Sequence, residues 1–202
     1  MRIVLILMLV VAAGCQERPA TQSSSYFPLV MGATWTRRAE DGADITARVV
    51  AKKTVGPAAC AVVETKTARD DRERVTRICY ETTPSEIRVV ETESGGRRVV
   101  VDPPRTVLLL PPEAGRSWSW VPTDTPVPSR ITEEWVGEET VKVAAGTFKA
   151  WKVKTVTTRA DLMVTLFTWY APGVGIVKIA REEQRGELQR EGGSELVRYT
   201  IP

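Results

Sequence analysis

Short runs of alternating apolar and polar residues recur along most of the chain. From residue 26 onward no stretch keeps the 3.6-residue period of an amphipathic helix, and Val, Thr and Ile instead alternate with Lys, Arg and Glu. Turn-forming pairs at 41–42, 56–57 and 172–173 separate the runs. The pattern predicts an all-β fold, an antiparallel meander that forms a curved sheet or a partly open barrel. The clearest runs are 45–55, 74–81, 86–93, 141–157 and 162–170.

The chain also resembles itself at a fixed spacing. GPAACAVVETKT at 56–67 aligns with GTFKAWKVKTVT at 146–157, and at the same offset of 90 Tyr80 matches Tyr170. An internal repeat of this length predicts two related β-meander halves, with chance similarity between β sequences as the alternative. The halves are predicted to span roughly 26–103 and 104–202.

The repeat predicts how the cysteines of the β domain are paired. A hairpin centred between Arg69 and Asp70 places Cys60 directly opposite Cys79, and the same geometry applies at the offset of 90 in the second half. Facing residues of an antiparallel pair have Cβ atoms about 4.5–5.5 Å apart, close to the separation that a disulfide needs. We therefore expect a Cys60–Cys79 disulfide, and two free buried thiols are the alternative.

The first fifteen residues, MRIVLILMLVVAAGC, combine an arginine, a short apolar run, small residues and a cysteine. The run is too short to span a bilayer and is typical of a secretory signal. Its end resembles the bacterial lipobox, which implies lipidation of Cys15, while an ordinary signal peptide cut nearby is the alternative. By the sorting rule of Gram-negative lipoproteins, Gln16 implies the outer membrane. We predict a lipoprotein signal peptide (1–14), a flexible tether (15–25) and a β domain (26–202).

Composition argues against several classes of function. Net charge is only +3, the basic residues form no run or stripe, and a nucleic-acid partner is therefore not expected. The sequence contains no histidine, which is the commonest general base and metal ligand. Adjacent carboxylates such as Glu133-Glu134 point to opposite faces of a strand and are interpreted as solvated surface. We expect no catalytic activity, no metal and no cofactor.

Apolar residues offer the main candidates for a binding surface. The run TVLLLPPE at 106–113 cannot alternate cleanly, so it is either buried on both faces or forms an apolar lip over a cavity. The six tryptophans are either core or an aromatic platform for a ligand. The candidate apolar ligand surface comprises Leu108, Leu109, Leu110, Trp120, Trp151 and Trp169.

Three segments resemble a group of uncharacterised bacterial envelope lipoproteins. They are YFPLVMGATW at 26–35, VKVAAGTFKAWKVK at 141–154 and WYAPGVGIVKI at 169–179. The resemblance implies an antiparallel, partly open β-barrel, similar in kind to half-barrel lipoprotein carriers of the periplasm. Pro172, Gly173 and Gly175 in the third segment are interpreted as a tight connection between strands rather than a cofactor loop.

These observations together predict a lipid-anchored, non-enzymatic envelope protein at the periplasmic face of the outer membrane. It is expected to bind a hydrophobic ligand or a partner protein at the membrane surface. The alternative is a structural or assembly subunit that has no ligand and is recognised through an exposed strand edge.

Overall fold

A computed structural model describes residues 26–69, 72–123 and 127–202 and shows an all-β fold, as the sequence predicts. The described residues contain no helix and therefore none that could span a membrane. Twelve antiparallel strands form one sheet. Their bounds are β1 (Thr34–Ala39), β2 (Asp44–Val55), β3 (Ala58–Arg69), β4 (Arg72–Thr82), β5 (Glu86–Ser94), β6 (Arg97–Leu109), β7 (Ser117–Trp120), β8 (Ser129–Val143), β9 (Gly146–Arg159), β10 (Leu162–Ala171), β11 (Gly175–Arg185) and β12 (Leu188–Thr200).

The strands follow one another as a meander that closes on itself at the ends of the chain. Each strand pairs with its neighbour in sequence except β6 with β7, and β1 also pairs with β12, with Thr34 opposite Thr200. The two edges of the sheet are therefore β6 and β7, which are consecutive in the chain. The result is a nearly closed, barrel-like sheet with a single seam between these two strands.

Strand pairing reproduces the predicted offset of 90 but shifts both hairpins by one residue. Arg69 pairs with Arg72, and Arg159 pairs with Leu162, so each hairpin is centred one residue later than the sequence analysis placed it. In the second half the turn falls on Ala160 (φ 48°) and the following aspartate, a residue that tolerates turn conformations. The equivalent residues 70 and 71 lie outside the described residues.

Irregularities in the ladders recur at the same offset. The β4–β5 ladder shifts register between Cys79 and Tyr80, and the β10–β11 ladder shifts between Trp169 and Tyr170. Such bulges depend on local geometry and are not expected to coincide by accident. They support the two-halves interpretation, which stays a prediction; its proposed boundary after residue 103 falls within β6.

The predicted disulfide joins Cys60 and Cys79, with the two Cα atoms 5.6 Å apart. The cysteines are diagonal rather than directly opposite, because Cys79 faces Val62 in the β3–β4 ladder. The one-residue change in the turn moves each partner by two positions, which keeps both cysteines on the same face of the sheet. At the offset of 90 the corresponding residues are Ala150 and Trp169, both buried.

Removal of the disulfide is expected to lower the free energy of unfolding by about 3 kcal/mol, because the bond closes a loop of sequence separation 19 in the unfolded chain. Urea unfolding of the Cys60→Ser/Cys79→Ser chain, followed by tryptophan fluorescence, measures this loss. The wild-type chain under reducing conditions should lose a similar amount. No change in either experiment would contradict the prediction.

Buried side chains form three clusters. The largest joins strands of both halves and contains Trp35, Val177 and Leu196. A second surrounds Trp135, and a third surrounds the disulfide on the opposite face of β3. The first two clusters share contacts with Leu29 and Tyr80, so they form one continuous packing region along the barrel.

Candidate functional site

The residues before β1 place an aromatic side chain between the two halves. Phe27 is buried, and its ring centroid lies 5.1 Å from that of Tyr80 and 6.5 Å from that of Tyr170. Both contacts are edge-to-face, the favoured geometry for aromatic pairs. Because the two tyrosines are equivalent in the repeat, Phe27 contacts the same position in each half.

The glycine-rich connection between β10 and β11 packs against this segment. The indole of Trp35 donates a hydrogen bond to the carbonyl of Val174 at 2.6 Å. Gly175 has a φ of +95°, and a Cβ there would lie 3.4 Å from Pro28 Cδ and from the indole nitrogen of Trp35. The first and third sequence motifs therefore meet in space, and their glycine provides close packing at a bend between strands.

Gly175→Ala is expected to destabilise the protein more than Gly173→Ala. Both glycines have positive φ, so both substitutions introduce backbone strain of about 1–2 kcal/mol. Only at Gly175 would the new methyl group also contact Pro28 and Trp35 at 3.4 Å, the short limit of van der Waals distance, whereas nothing lies within 4 Å at Gly173. Thermal unfolding of both variants measures the difference, and equal melting temperatures would contradict this account.

The barrel interior also contains a cluster of ionisable side chains. The guanidinium of Arg105 donates a hydrogen bond to Glu133 at 2.6 Å, and Glu133 is 1% exposed. Burial raises the pKa of Glu133, and the charge and hydrogen bond of Arg105 offset this only in part. The second carboxylate oxygen of Glu133 and Nε of Arg105 are buried without a hydrogen-bond partner.

Arg37 extends this cluster to the tyrosines. Its charge acts on Tyr80 and Tyr170, and so does the charge of Arg105. Burial raises the pKa of both tyrosines and lowers the pKa of Arg37. We refer to Arg37, Tyr80, Arg105, Glu133 and Tyr170 as the interior polar cluster.

Three members of this cluster are deep in the barrel yet still reachable from outside. Arg37, Tyr80 and Tyr170 each retain part of their accessible surface, although burial shifts the pKa of each. Tyr80 also lines a groove of about 430 Å³ between the N-terminal segment and strands β2 to β4.

The groove has an apolar wall and a basic rim. Leu29, Ala61 and the ring of Tyr80 contribute apolar surface, and Lys52 and Lys53 lie at the rim. Lys53 pairs with Glu91, whereas Lys52 is exposed. The volume of the groove lies within the range of about 300–1,000 Å³ that is usual for small-molecule sites.

Tryptophan side chains bridge the seam between β6 and the strands across from it. The indole nitrogens of Trp120, Trp118 and Trp135 donate hydrogen bonds to backbone carbonyls of β6. The acceptors are the carbonyls of Pro103, Thr106 and Leu109, at 2.7, 3.1 and 2.8 Å in that order. These side-chain bonds replace the backbone ladder that every other neighbouring pair of strands has.

The six predicted apolar residues do not form one surface. Leu108 and Leu110 are buried around Trp135, where Trp151 also packs, and Leu109 is half-buried. Trp120 lies at the seam, half-buried. Trp169 is buried in the largest cluster, donates a hydrogen bond to Glu139 and has the ammonium of Lys152 4.8 Å from its ring centroid. A ligand role for these residues stays a prediction, and Cys15 lies outside the described residues.

Sequence reasoning missed the interior polar cluster. The interpretation of Glu133 as solvated surface was wrong, since its side chain is almost completely buried beside Arg105. The equivalence of Tyr80 and Tyr170 was visible in the repeat, but nothing in the sequence distinguished Arg37 from the many arginines on exposed strand faces. Among the residues that the structure describes, no group of three potential metal ligands comes together.

Comparisons with known proteins agree with this fold. Residues 130–193 match the family model described as DUF3108-like. No curated protein matches the chain. The crystal structure of a candidate lipoprotein from Parabacteroides distasonis ATCC 8503 is similar over 87% of this chain and 98% of its own, at 13% identity and a TM-score of 0.50.

A candidate exported protein with a YmcC-like fold from Bacteroides fragilis NCTC 9343 is similar over 85% of this chain and 97% of its own. Its identity is 16% and its TM-score is 0.43. At 13% identity, the likeness to the Parabacteroides distasonis structure bears on the fold alone. The strand topology defines the class of the domain as all-β and barrel-like, and its residues 130–193 are similar to the DUF3108-like family model.

Proposed function

We propose that this chain is an exported, lipid-anchored protein that binds an amphipathic small molecule and performs no catalysis. The groove of about 430 Å³ that leads to Tyr80 carries this proposal. It combines an apolar wall with cations at the rim, and it borders side chains of the barrel interior. A site of this kind favours a molecule with an apolar chain and a negative charge.

The sequence of the leader supports export and anchoring. Residues 1–15 have the composition of a lipoprotein signal, and acylation of Cys15 would hold the β domain at a membrane surface. The Cys60–Cys79 disulfide suits an oxidising compartment outside the cytoplasm. With Gln16 after the cysteine, we assign the periplasmic face of the outer membrane as the location.

A binding role fits the chemistry of the chain better than a catalytic one. The sequence has no histidine, and the most deeply buried carboxylate, Glu133, is held by Arg105. A general base has to reach a substrate proton directly or through one water, whereas Glu133 is already bound to Arg105.

Extraction of bound molecules from protein purified out of cell envelopes tests the proposal. Solvent extraction and mass spectrometry should recover one amphipathic species at near-equal molar amount from the wild-type chain. Ala59→Trp places an indole in the groove from an exposed position and should abolish recovery. Thr140→Trp, on the exposed face of β8 away from the groove, is the matched control and should retain it. Absence of any bound species from the wild-type chain contradicts the proposal.

One observation favours assembly into an envelope complex as the second candidate. At the start of β6, Val99 is 43% exposed and Val100 is 60% exposed, although neighbouring residues point to opposite faces. β6 is an edge strand, and an apolar edge can accept a strand from another chain. A photoreactive residue at position 100 that captures one stoichiometric protein, without any bound small molecule, would favour this function.

A further inference from the structure

We infer that an exposed apolar patch beside the groove docks the domain on the lipid bilayer that carries its anchor. The patch consists of Val30, Met31 and Val50, and we refer to these residues as the bilayer-facing patch. This inference rests on the proposed function, because it requires the acylated Cys15. It goes beyond that function by assigning the protein surface that meets the lipid.

A single tight turn exposes two of the three side chains. The amide of Ala33 donates a hydrogen bond to the carbonyl of Val30 at 3.0 Å, which closes a turn with Met31 and Gly32 at its tip. Gly32 has a φ of +83°, the conformation that the third residue of a type II turn requires. Val30 is 46% exposed and Met31 is 44% exposed. The turn therefore presents two large apolar side chains to solvent, at positions where polar residues are usual.

A bulge in β2 brings Val50 to the same surface. The β2–β3 ladder shifts register between Val49 and Ala51, so Val50 is the extra residue of the bulge, and it is 36% exposed. The amide of Gly32 donates a hydrogen bond to the carbonyl of Val49, and the amide of Val49 donates one to the carbonyl of Ala33, both at 3.0 Å. These bonds hold the turn against the bulge. Adjoining exposed apolar residues of this kind are typical of a protein or membrane interaction site.

The position of the anchor favours a lipid bilayer as the partner of this patch. Residues 16–25 separate Cys15 from Tyr26, and an extended chain of that length spans at most about 40 Å. Acylation of Cys15 would therefore keep the start of the domain close to the membrane. Met31 lies only five residues beyond Tyr26. The patch can thus rest on lipid without the connecting residues having to pass around the domain.

The groove lies beside the patch and has the charge that suits lipid head groups. Leu29, which precedes Val30, lines the groove, and Lys52 at its rim lies two residues beyond Val50 on β2. Of the described residues that line the groove, two are lysines and none is acidic. A lysine next to an apolar surface can keep its ammonium among lipid phosphates while its stem packs against apolar groups. Docking would therefore bring the groove to the bilayer, from which an amphipathic molecule would enter it.

Quenching of a fluorescent dye on the full, acylated mature chain tests this inference. Met31→Cys supplies a free thiol for a nitrobenzoxadiazole dye, because Cys15 is acylated and Cys60 and Cys79 are joined. The chain is reconstituted in vesicles of phosphatidylethanolamine and phosphatidylglycerol, with nitroxide groups on some of the acyl chains. Quenching at position 31 should be at least about threefold stronger than at a control position, since an interfacial apolar surface enters the bilayer by about 5–10 Å.

Met163→Cys is the matched control. Met163 is 41% exposed, close to the value for Met31. It lies near the start of β10, whereas the end of β10 leads into Gly175, which packs against Pro28 and Trp35. Position 163 is therefore far along the barrel from the patch and should show little quenching.

A second substitution separates insertion of the patch from insertion of the dye. Val30→Ser/Val50→Ser in the Met31→Cys chain removes the other two apolar side chains and should lower quenching at position 31 at least about twofold, because apolar area drives interfacial binding. Undiminished quenching would show that the dye alone enters the bilayer, and it overturns the inference.

The outcomes distinguish this inference from the proposed function. Equal quenching at positions 31 and 163 overturns the inference while the proposed function stands, because recovery of a bound molecule does not depend on how the domain is oriented. Absence of an acyl group from Cys15, which the intact mass reveals, counts against the proposed function and removes the inference with it. If Met31→Cys does not fold, which circular dichroism will reveal, a dye on Val50→Cys should be quenched as predicted for position 31. Quenching there no stronger than at position 163 overturns the inference.

Discussion

Replacement of Arg105 by glutamine is expected to lower the free energy of unfolding by about 3–5 kcal/mol at pH 8, the usual cost of leaving a buried charge without its partner. Glu133 is 1% exposed and has one oxygen already without a hydrogen bond, so the substitution leaves its charge buried with only the nearby indole of Trp118 to offset it. The loss should be smaller at pH 5. Burial already raises the pKa of Glu133, and removal of Arg105 raises it further, so the carboxyl becomes protonated in the folded state as pH falls.

The sign of this pH dependence follows from proton linkage. A carboxyl whose pKa is higher in the folded than in the unfolded chain binds protons on folding, so stability decreases as pH rises through the interval between the two values. Urea unfolding of Arg105→Gln at pH 5 and pH 8 measures the effect. Arg77→Gln, which breaks an exposed pair with Glu64, should cost less than about 1 kcal/mol. Equal losses for Arg105→Gln at both pH values would contradict the assignment.

Trp135→Leu is expected to lower the free energy of unfolding by about 3–5 kcal/mol, as for other truncations of fully buried aromatic side chains. Trp135 is 0% exposed, and its ring contacts those of Tyr26, Trp118, Trp151 and Tyr170. Its indole nitrogen also donates a hydrogen bond to the backbone carbonyl of Leu109. The substitution therefore removes both packing in the core and one of the three indole hydrogen bonds across the seam.

Two measurements separate these contributions. Trp120→Leu removes a seam bond from a half-buried position and should cost only about 1 kcal/mol. Hydrogen exchange of β6 amides should accelerate in both variants, because each loosens β6 from the strands across the seam. Unchanged exchange in β6 for Trp135→Leu would show that the seam does not depend on this indole.

The fold was predictable because its main signals are periodic. Alternation of Val, Thr and Ile with charged residues gave the strands, and the offset of 90 matched the pairing of the two central hairpins. The error of one residue in each hairpin arose because facing positions were chosen for Cys60 and Cys79. The turn of the second hairpin instead falls on Ala160 and Asp161, and in the first half a diagonal pair of cysteines satisfies the disulfide equally well.

The interior polar cluster was not predictable for a different reason. Alternation assigns charged residues to solvent, and most charged residues of this chain obey that rule. Arg37 and Glu133 break it because the barrel brings distant strands together around a polar space, and such proximity leaves no local pattern. Tyr80 and Tyr170 could be paired from the repeat, but their shared neighbour Phe27 could not.

The seam between β6 and β7 has a consequence for how the barrel can move. Every other pair of neighbouring strands is joined by a backbone ladder, whereas the described residues at the seam meet through side chains. These contacts are three indole hydrogen bonds, one hydrogen bond from the Thr123 hydroxyl to the carbonyl of Asp102, and the ion pair of Arg105 with Glu133. A change in the circumference of the barrel at the seam breaks no backbone ladder. A lateral parting of β6 from β7 is therefore expected to cost less than separating two strands joined by a ladder, and it would let the same barrel adapt its circumference to occupants of different width.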